Sequence, residues 1–294
     1  MAKTREIRRR IKAVGNIQRI TKTMQMIATA RFQVALNVVT RSRAYATKIG
    51  ELVGELVPSL GGRLDHPLLR HPEDEGGRVL LLVITSQRGL CGAFNANVLR
   101  QAMAFLRQHQ GRGVDVEVVG KKGVAFLRFN GVPVAAVHGH ITDRPAYADV
   151  EQLAERYIDR FSDGTYNGVY IASATFQTMA RQTPGIGALL PLASPASSDP
   201  KTPGGAQAGV EYDFSPDPEA LLNELLPITV KTQLFQRFNE AALSEHIARM
   251  IAMKNATDSA GKMSKQLKLR FNRARQAAIT TELSEIIGGS AALA

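Results

Sequence analysis

Apolar side chains recur at helical spacing along both ends of the chain, and no turn signal interrupts either run. From Lys3 to about Leu56, Ile7, Ile11, Val14, Ile17, Ile20, Met24 and Ile27 lie mostly three or four residues apart, which places them on one helix face. Gly15 costs such a helix about 1 kcal/mol relative to alanine, so tertiary packing must support it. Pro58-Ser59-Leu60-Gly61-Gly62 supplies the stop. The final run extends from about Ile228 to Ile287 and ends at Gly288-Gly289. As one helix it would be on the order of 85–90 Å long, far more than a compact domain can bury. Within it Ala252, Ala256, Ala260, Met263, Leu267, Phe271, Ala274 and Ala278 fall at spacings of 4, 4, 3, 4, 4, 3 and 4. That eleven-residue repeat predicts a nearly straight seam, with alanines that let a partner backbone approach closely. The N-terminal helix is the natural mate, in an antiparallel pair.

The interior reads differently. Residues 63–77 form an exposed connection rich in proline, glycine and charge. Arg78–Thr85 is a buried strand, followed by the loop SQRGLCGAF and a helix to about Gln108 that Asn95 can cap. Strands are expected at Val114–Val119, Pro133–Val137, Gly168–Phe176 and Ala188–Leu192, and helices at Val124–Phe129 and Asp149–Phe161. This alternation predicts an α/β unit with a mostly parallel sheet. Residues 193–210 are a loop by composition. Asp217 can cap a helix with Pro218 at its first position, and Pro227 should break or kink the chain before the final helix.

The fold class is therefore α/β: a long antiparallel two-helix coiled coil built from the terminal segments, with an inserted Rossmann-like α/β domain. The divisions expected are 1–60 for the first helix, 61–210 for the α/β domain, and 211–294 for a short segment plus the last helix. Paired, the helices would form a rod with the domain beside its lower end.

Charge sharpens this picture. The 294 residues carry a net +11, and the excess is entirely terminal. Residues 1–60 hold 12 basic and 3 acidic side chains, residues 228–294 hold 10 and 5, and the remainder is acidic, with 15 and 18. A basic helix pair calls for an acidic or phosphate-rich partner. With 44% apolar residues the chain can bury a sizeable core. Cys91 is the only cysteine, which rules out an intramolecular disulfide. No apolar run is long enough to span a bilayer, and MAKTREIRRRIK lacks the apolar centre of a secretory signal, so it reads as the start of the first helix.

Catalytic chemistry is hard to place. SQRGLCGAF lies between a strand and a helix, where α/β folds bind phosphates, but it matches neither GxGxxG nor GxxxxGK[ST]. A tight packing turn is the expectation there. Cys91 has no His or acid nearby in sequence and reads as a buried thiol rather than a nucleophile. The six histidines show no metal-ligand spacing: His138 and His140 alternate on a weak strand, and His66 and His71 lie in a loop. No catalytic residue, metal or cofactor is expected. Nucleic acid would suit basic helices; scarce stacking aromatics and the lack of an evident helix-turn-helix weigh against it, and no nucleic acid is expected as partner once the family resemblance of the terminal segments is added. Glu282 and Glu285 share one face near a helix C-terminus, where the macrodipole disfavours acids. They either solvate the tip or meet a basic partner.

RITKTMQMIATARF (Arg19–Phe32), ITSQRGLCGAFN (Ile84–Asn95), SEHIARMIAMKNATD and FNRARQAAITTELSEIIGGSAAL together resemble the γ subunits of F-type ATP synthases in sequence, order and spacing. The resemblance implies a central rotor shaft whose paired terminal helices enter a ring of three α and three β subunits. Its α/β domain would sit on the membrane c ring and bind the ε subunit. Catalysis would lie on β. Ion flow would turn the c ring and shaft, and the complex would lie at the cytoplasmic face of a bacterial plasma membrane. By the same resemblance Met24, Arg249, Gln276, Thr280, Glu282 and Glu285 match positions of β contact and energy coupling. Tyr212 and Phe214 match the foot over the c ring. Gln87 stands where the family usually has Asp, Ala93 where it has Gly, Arg31 where Lys is frequent, and Ser215 where many members have Glu. The plant-type thiol switch needs two cysteines, and this chain has one.

Overall fold

A computed structural model describes residues 2–59, 66–70, 77–192 and 218–293. The elements run α1 (Ala2–Ser59), a 3-10 turn (Pro67–Leu69), β1 (Val79–Ile84), α2 (Phe94–Gln108), β2 (Val114–Val119), α3 (Lys121–Phe129), β3 (Ala136–Val137), α4 (Tyr147–Ser162), β4 (Gly168–Phe176), β5 (Gln182–Leu190) and α5 (Pro218–Leu293). They form two compact units. One joins α1 up to Ala30 with α5 from Arg249 onward, and the other spans Arg31–Ala248.

The second unit is a five-stranded sheet in the order β3-β2-β1-β4-β5. Its pairs are parallel except for the antiparallel β4–β5 pair at one edge. All of β1 is buried, as a central parallel strand must be when helices cover both faces. Its alternation divides the core. Leu80, Leu82 and Ile84 face α4 (Val150, Leu153, Tyr157) and the first part of α5 (Leu222, Leu226, Val230, Leu234, Phe238). Val79, Leu81 and Val83 face α2 and α3 through Phe94, Val98, Leu99, Ala102 and Leu127. From Phe238 to Ile247 every α5 residue is buried. Phe238 and Ala241 belong to the sheet core, while Leu243 and Ile247 pack on Phe32 and Val39 of α1.

In the other unit the two helices run antiparallel. Thr257 Oγ1 donates to Thr21 Oγ1 at 2.8 Å, and Gly261 faces Gln18. The less exposed positions of α1 include Thr4, Ile7, Ile11, Val14, Gln18, Thr21, Gln25 and Ala28, with steps alternating between three and four. On α5 they include Met253, Thr257, Ala260, Ser264, Leu267, Phe271, Ala274 and Ala278, alternating in the same way. This is a heptad seam, the pattern of a left-handed coiled coil, and it corrects the eleven-residue reading. Met263 is 52% exposed and Ser264 takes the seam position. On α1, Ile7, Ile11 and Val14 lie in the seam as expected. Ile17, Ile20 and Ile27 are 53%, 60% and 51% exposed, and Gln18, Thr21 and Gln25 replace them. Counting only apolar residues merged two stripes, because part of the seam is small and polar.

Local expectations fail in four further places. Pro227 does not end a helix: α5 continues through it. The carbonyl it cannot bond, that of Asn223, lies on an exposed turn where water can satisfy it. Gly288-Gly289 does not stop α5 either, since the residues beyond are mostly helix-tolerant alanines and Ser290 Oγ donates to Ile287 O at 2.9 Å. Asn95 lies inside the first turn of α2 instead of capping it, and its side chain bonds back to Ser86. β5 begins at Gln182 instead of Ala188, and its early part contains Pro184 and two glycines. An edge strand tolerates those residues, which read as loop in sequence. The expected cap Asp217 lies outside the described residues.

Candidate functional site

Enclosed chemistry is scarce in the α/β unit. At the carboxyl end of β1 the loop Thr85–Phe94 turns tightly, with Leu90 and Gly92 at φ 65° and 57°. Ser86 N donates to Asn95 Oδ1 at 2.9 Å, Ser86 Oγ donates to Arg88 O at 2.6 Å, and Asn95 Nδ2 lies 3.3 Å from Cys91 Sγ. Cys91 is buried within this net. Gly120, at φ 96°, packs so closely that a Cβ would lie 2.2 Å from Thr85 O. Doubly wound folds bind ligands in the crevice beyond the strand ends. Here Phe238, Ala241, Ala242 and Glu245 of α5 enter that crevice beside Ile84, Thr85 and Gln87, leaving a cavity of about 20 Å³. That is room for one water molecule. The loop is a packing turn. Among the described residues no group of three or more His, Cys, Asp or Glu is placed to hold a metal ion.

A buried polar cluster lies in the same sheet. Glu117 Oε2 accepts from Tyr157 OH at 2.7 Å and lies 2.6 Å from His138 Nε2. Burial pushes the Glu117 carboxyl up, but hydrogen bonds from His138 and Tyr157, with the charges of His138 and Arg156, outweigh it and hold it below its ordinary value. Burial first, and then Glu117, push the Tyr157 phenol well above its usual range. The cluster fastens β2, the turn after β3, and α4 together. Its only sequence signal was a glutamate in VDVEVV, where alternation suggests a solvated face but helices cover both.

Unit one presents a surface instead of a cavity. Its segments carry 16 basic and 4 acidic side chains. Among the acids, Glu6 pairs with Arg10 at 2.7 Å. Beside the seam, α1 exposes Ile17, Ile20, Met26 and Ile27. Near its end α5 exposes Ile279, Leu283, Ile286 and Ile287, at 52–71%. Burying one such half-exposed side chain on a partner is worth about 1 kcal/mol.

The expected coupling residues distribute along this pair. Met24 and Arg249 are half-buried. Gln276, Thr280, Glu282 and Glu285 are exposed, and Thr280 Oγ1 donates to Gln276 O at 3.0 Å. Glu282 lines an open groove with Thr4, Arg5, Arg8, Phe271 and Arg275, so the first turns of α1 and the stretch of α5 from Phe271 to Glu282 border one groove. Tyr212 and Phe214 lie outside the described residues. No helix is long and apolar enough to cross a membrane among the described residues.

The family model described as ATP synthase matches residues 3–293. The chain is 40% identical over 296 residues to a protein of Rhodopirellula baltica named "ATP synthase gamma chain", covering 100% of this chain and 99% of that one. It is 39% identical to the protein of the same name from Leptospira biflexa, with full coverage of both. Its fold is similar to a chain of the Euglena gracilis mitochondrial ATP synthase rotor, with a TM-score of 0.63 at 18% identity, covering 95% of this chain and 99% of that one. A chain in the central stalk and c ring of the Tetrahymena thermophila mitochondrial ATP synthase is also similar, with a TM-score of 0.58 at 18% identity and 81% and 99% coverage.

Proposed function

The chain belongs to the ATP synthase gamma-chain family, and from that premise we propose that it is the central rotor shaft of a rotary ATP synthase. It couples ion-driven rotation of the membrane c ring to ATP synthesis and hydrolysis at β-subunit sites. It is a non-catalytic subunit that works with three α and three β subunits, the ε subunit and the c ring. The observation that carries this reading is the helix pair itself. Its heptad seam, partly apolar and partly small and polar, leaves a second apolar stripe and a large basic excess for surrounding protein.

The mechanism needs no reacting group on this chain. An asymmetric shaft turning inside a ring presents different faces to successive β subunits. Each face favours one β conformation, and nucleotide affinity follows conformation. This is a coupling free energy between the shaft contact and the nucleotide site, so hydrolysis can drive the reverse rotation. Met24, Arg249, Gln276, Thr280, Glu282 and Glu285 are proposed as β contacts, and Tyr212 and Phe214 as foot contacts on the c ring. The complex would lie at the cytoplasmic face of a bacterial plasma membrane, with this chain peripheral to it.

Reconstitution with the α and β subunits tests the reading. The expected result is a stable ATP-hydrolysing complex that requires this chain, while the chain alone hydrolyses no ATP. An equally stable and active complex formed without it would refute the proposal.

A further inference from the structure

Within the Arg31–Ala248 unit the sheet meets α1 and α5 through side-chain contacts, and most of those are apolar and non-directional. A few are directed. The loop between β3 and α4 is anchored by Ile141, 1% exposed, whose carbonyl accepts from Gln87 Nε2 at 3.2 Å. Two residues on, a single oxygen, Asp143 Oδ2, accepts from Arg31 Nη1 of α1 and lies 4.0 Å from His246 Nε2 of α5. One carboxylate of the α/β domain therefore hydrogen-bonds α1 and lies beside α5. A second junction lies about 9 Å further along α5 by helical rise. There Arg43 Nη2 of α1 donates to Phe176 O at the end of β4 at 3.0 Å and to Glu240 of α5 at 2.8 Å.

We propose that Asp143 is a positioning residue for rotary coupling: its hydrogen bond to Arg31 keys the α/β domain to α1 at a point beside α5, so that rotation of the helices is carried to the domain without slip. The inference rests on the rotor reading. Greasy packing resists separation but permits small sliding displacements. A charge-assisted hydrogen bond has a fixed length and direction, so sliding breaks it. Two junctions spaced along the helices oppose relative twist as well as translation. Ile141 holds the loop that carries Asp143, so the key is backed by the core.

The experiment uses the assembled complex, with the ring immobilised and a bead attached to the α/β domain. Phe129→Cys supplies the attachment point, because Phe129 is 91% exposed while Cys91 is buried. Angular fluctuation of the bead during a stationary dwell reports torsional stiffness. Asp143→Ala should at least double the angular variance, Asp143→Glu should restore it towards the parent value, and the ATP hydrolysis rate should stay within twofold. Unchanged variance in Asp143→Ala, with the parent complex rotating normally, overturns this inference alone. A parent complex that hydrolyses ATP while the bead never turns overturns the rotor reading beneath it. If Asp143→Ala does not assemble, Arg31→Met, which removes the same hydrogen bond from the other side, decides by the same measurement.

Discussion

Replacing His138 with leucine isolates the buried polar cluster of the sheet. The His138 and Glu117 side chains are 5% and 6% exposed, with 2.6 Å between Nε2 and Oε2. Removing the imidazole leaves the Glu117 carboxylate with one close donor, Tyr157, and with Arg160 at 4.0 Å. Stranding a buried charge in this way costs about 3–5 kcal/mol. Glu117→Leu strands the donors instead, at about 1–3 kcal/mol for each of His138 and Tyr157. The double replacement removes the charge and its partner together and strands only the Tyr157 hydroxyl, so it should cost about 1–3 kcal/mol. Because the Tyr157 contribution is common to Glu117→Leu and the double variant, the double variant should be more stable than the sum of the singles by about 4–8 kcal/mol. Urea unfolding at neutral pH measures this. The chain lacks tryptophan, so the tyrosine signal is read, which includes Tyr157 within the cluster. The pH dependence has a definite sign. Because the folded Glu117 lies below its ordinary value, its contribution is present above the unfolded carboxylate range and is lost as pH falls through the folded value. Additive single and double costs, within about 0.5 kcal/mol, would refute the coupled-cluster account.

Three further outcomes are expected. Gly120→Ala should cost more than about 2 kcal/mol, since it places a Cβ against Thr85 O at a positive φ; a loss under about 1 kcal/mol in the same urea assay would contradict the close packing. Gly261→Ala should stabilise the helix pair by about 0.5–1 kcal/mol, because its Cβ would meet only the mobile end of Gln18 at 3.1 Å; a lowered melting temperature by far-ultraviolet circular dichroism would show that the seam cannot yield there. Glu282→Gln should weaken coupling of ATP hydrolysis to ion transport while leaving assembly intact, and unchanged synthesis and hydrolysis would remove Glu282 from the functional surface.

The strands and helices of the α/β unit were legible because burial and period agree in them: Val114–Val119 and Gly168–Phe176 form strands with the expected bounds. Agreement broke down where an apolar side chain stays exposed or where a polar one packs on residues far along the chain. Ile17, Ile20 and Ile27 look like core by hydropathy but face outward, while Gln18, Thr21 and Thr257 look like surface but lie towards the seam. Periodicity cannot tell a stripe that closes on the chain from one that awaits a partner. Glu117 was invisible for a related reason, since its donors come from residues 21 and 40 positions away. Asp143 bonds Arg31, 112 positions away in the chain, and only the fold brings the two together. The coupling positions carried by family resemblance fall on exposed or half-buried helix faces, where hydropathy alone gives no reason to single them out.

Rotation itself is the most direct test. A bead fixed at Phe129→Cys on this chain, in a complex whose ring is held to a surface, should turn stepwise and in one direction when ATP is added, and stop when ATP is removed. A bead that stays still while the same complexes hydrolyse ATP would contradict the account.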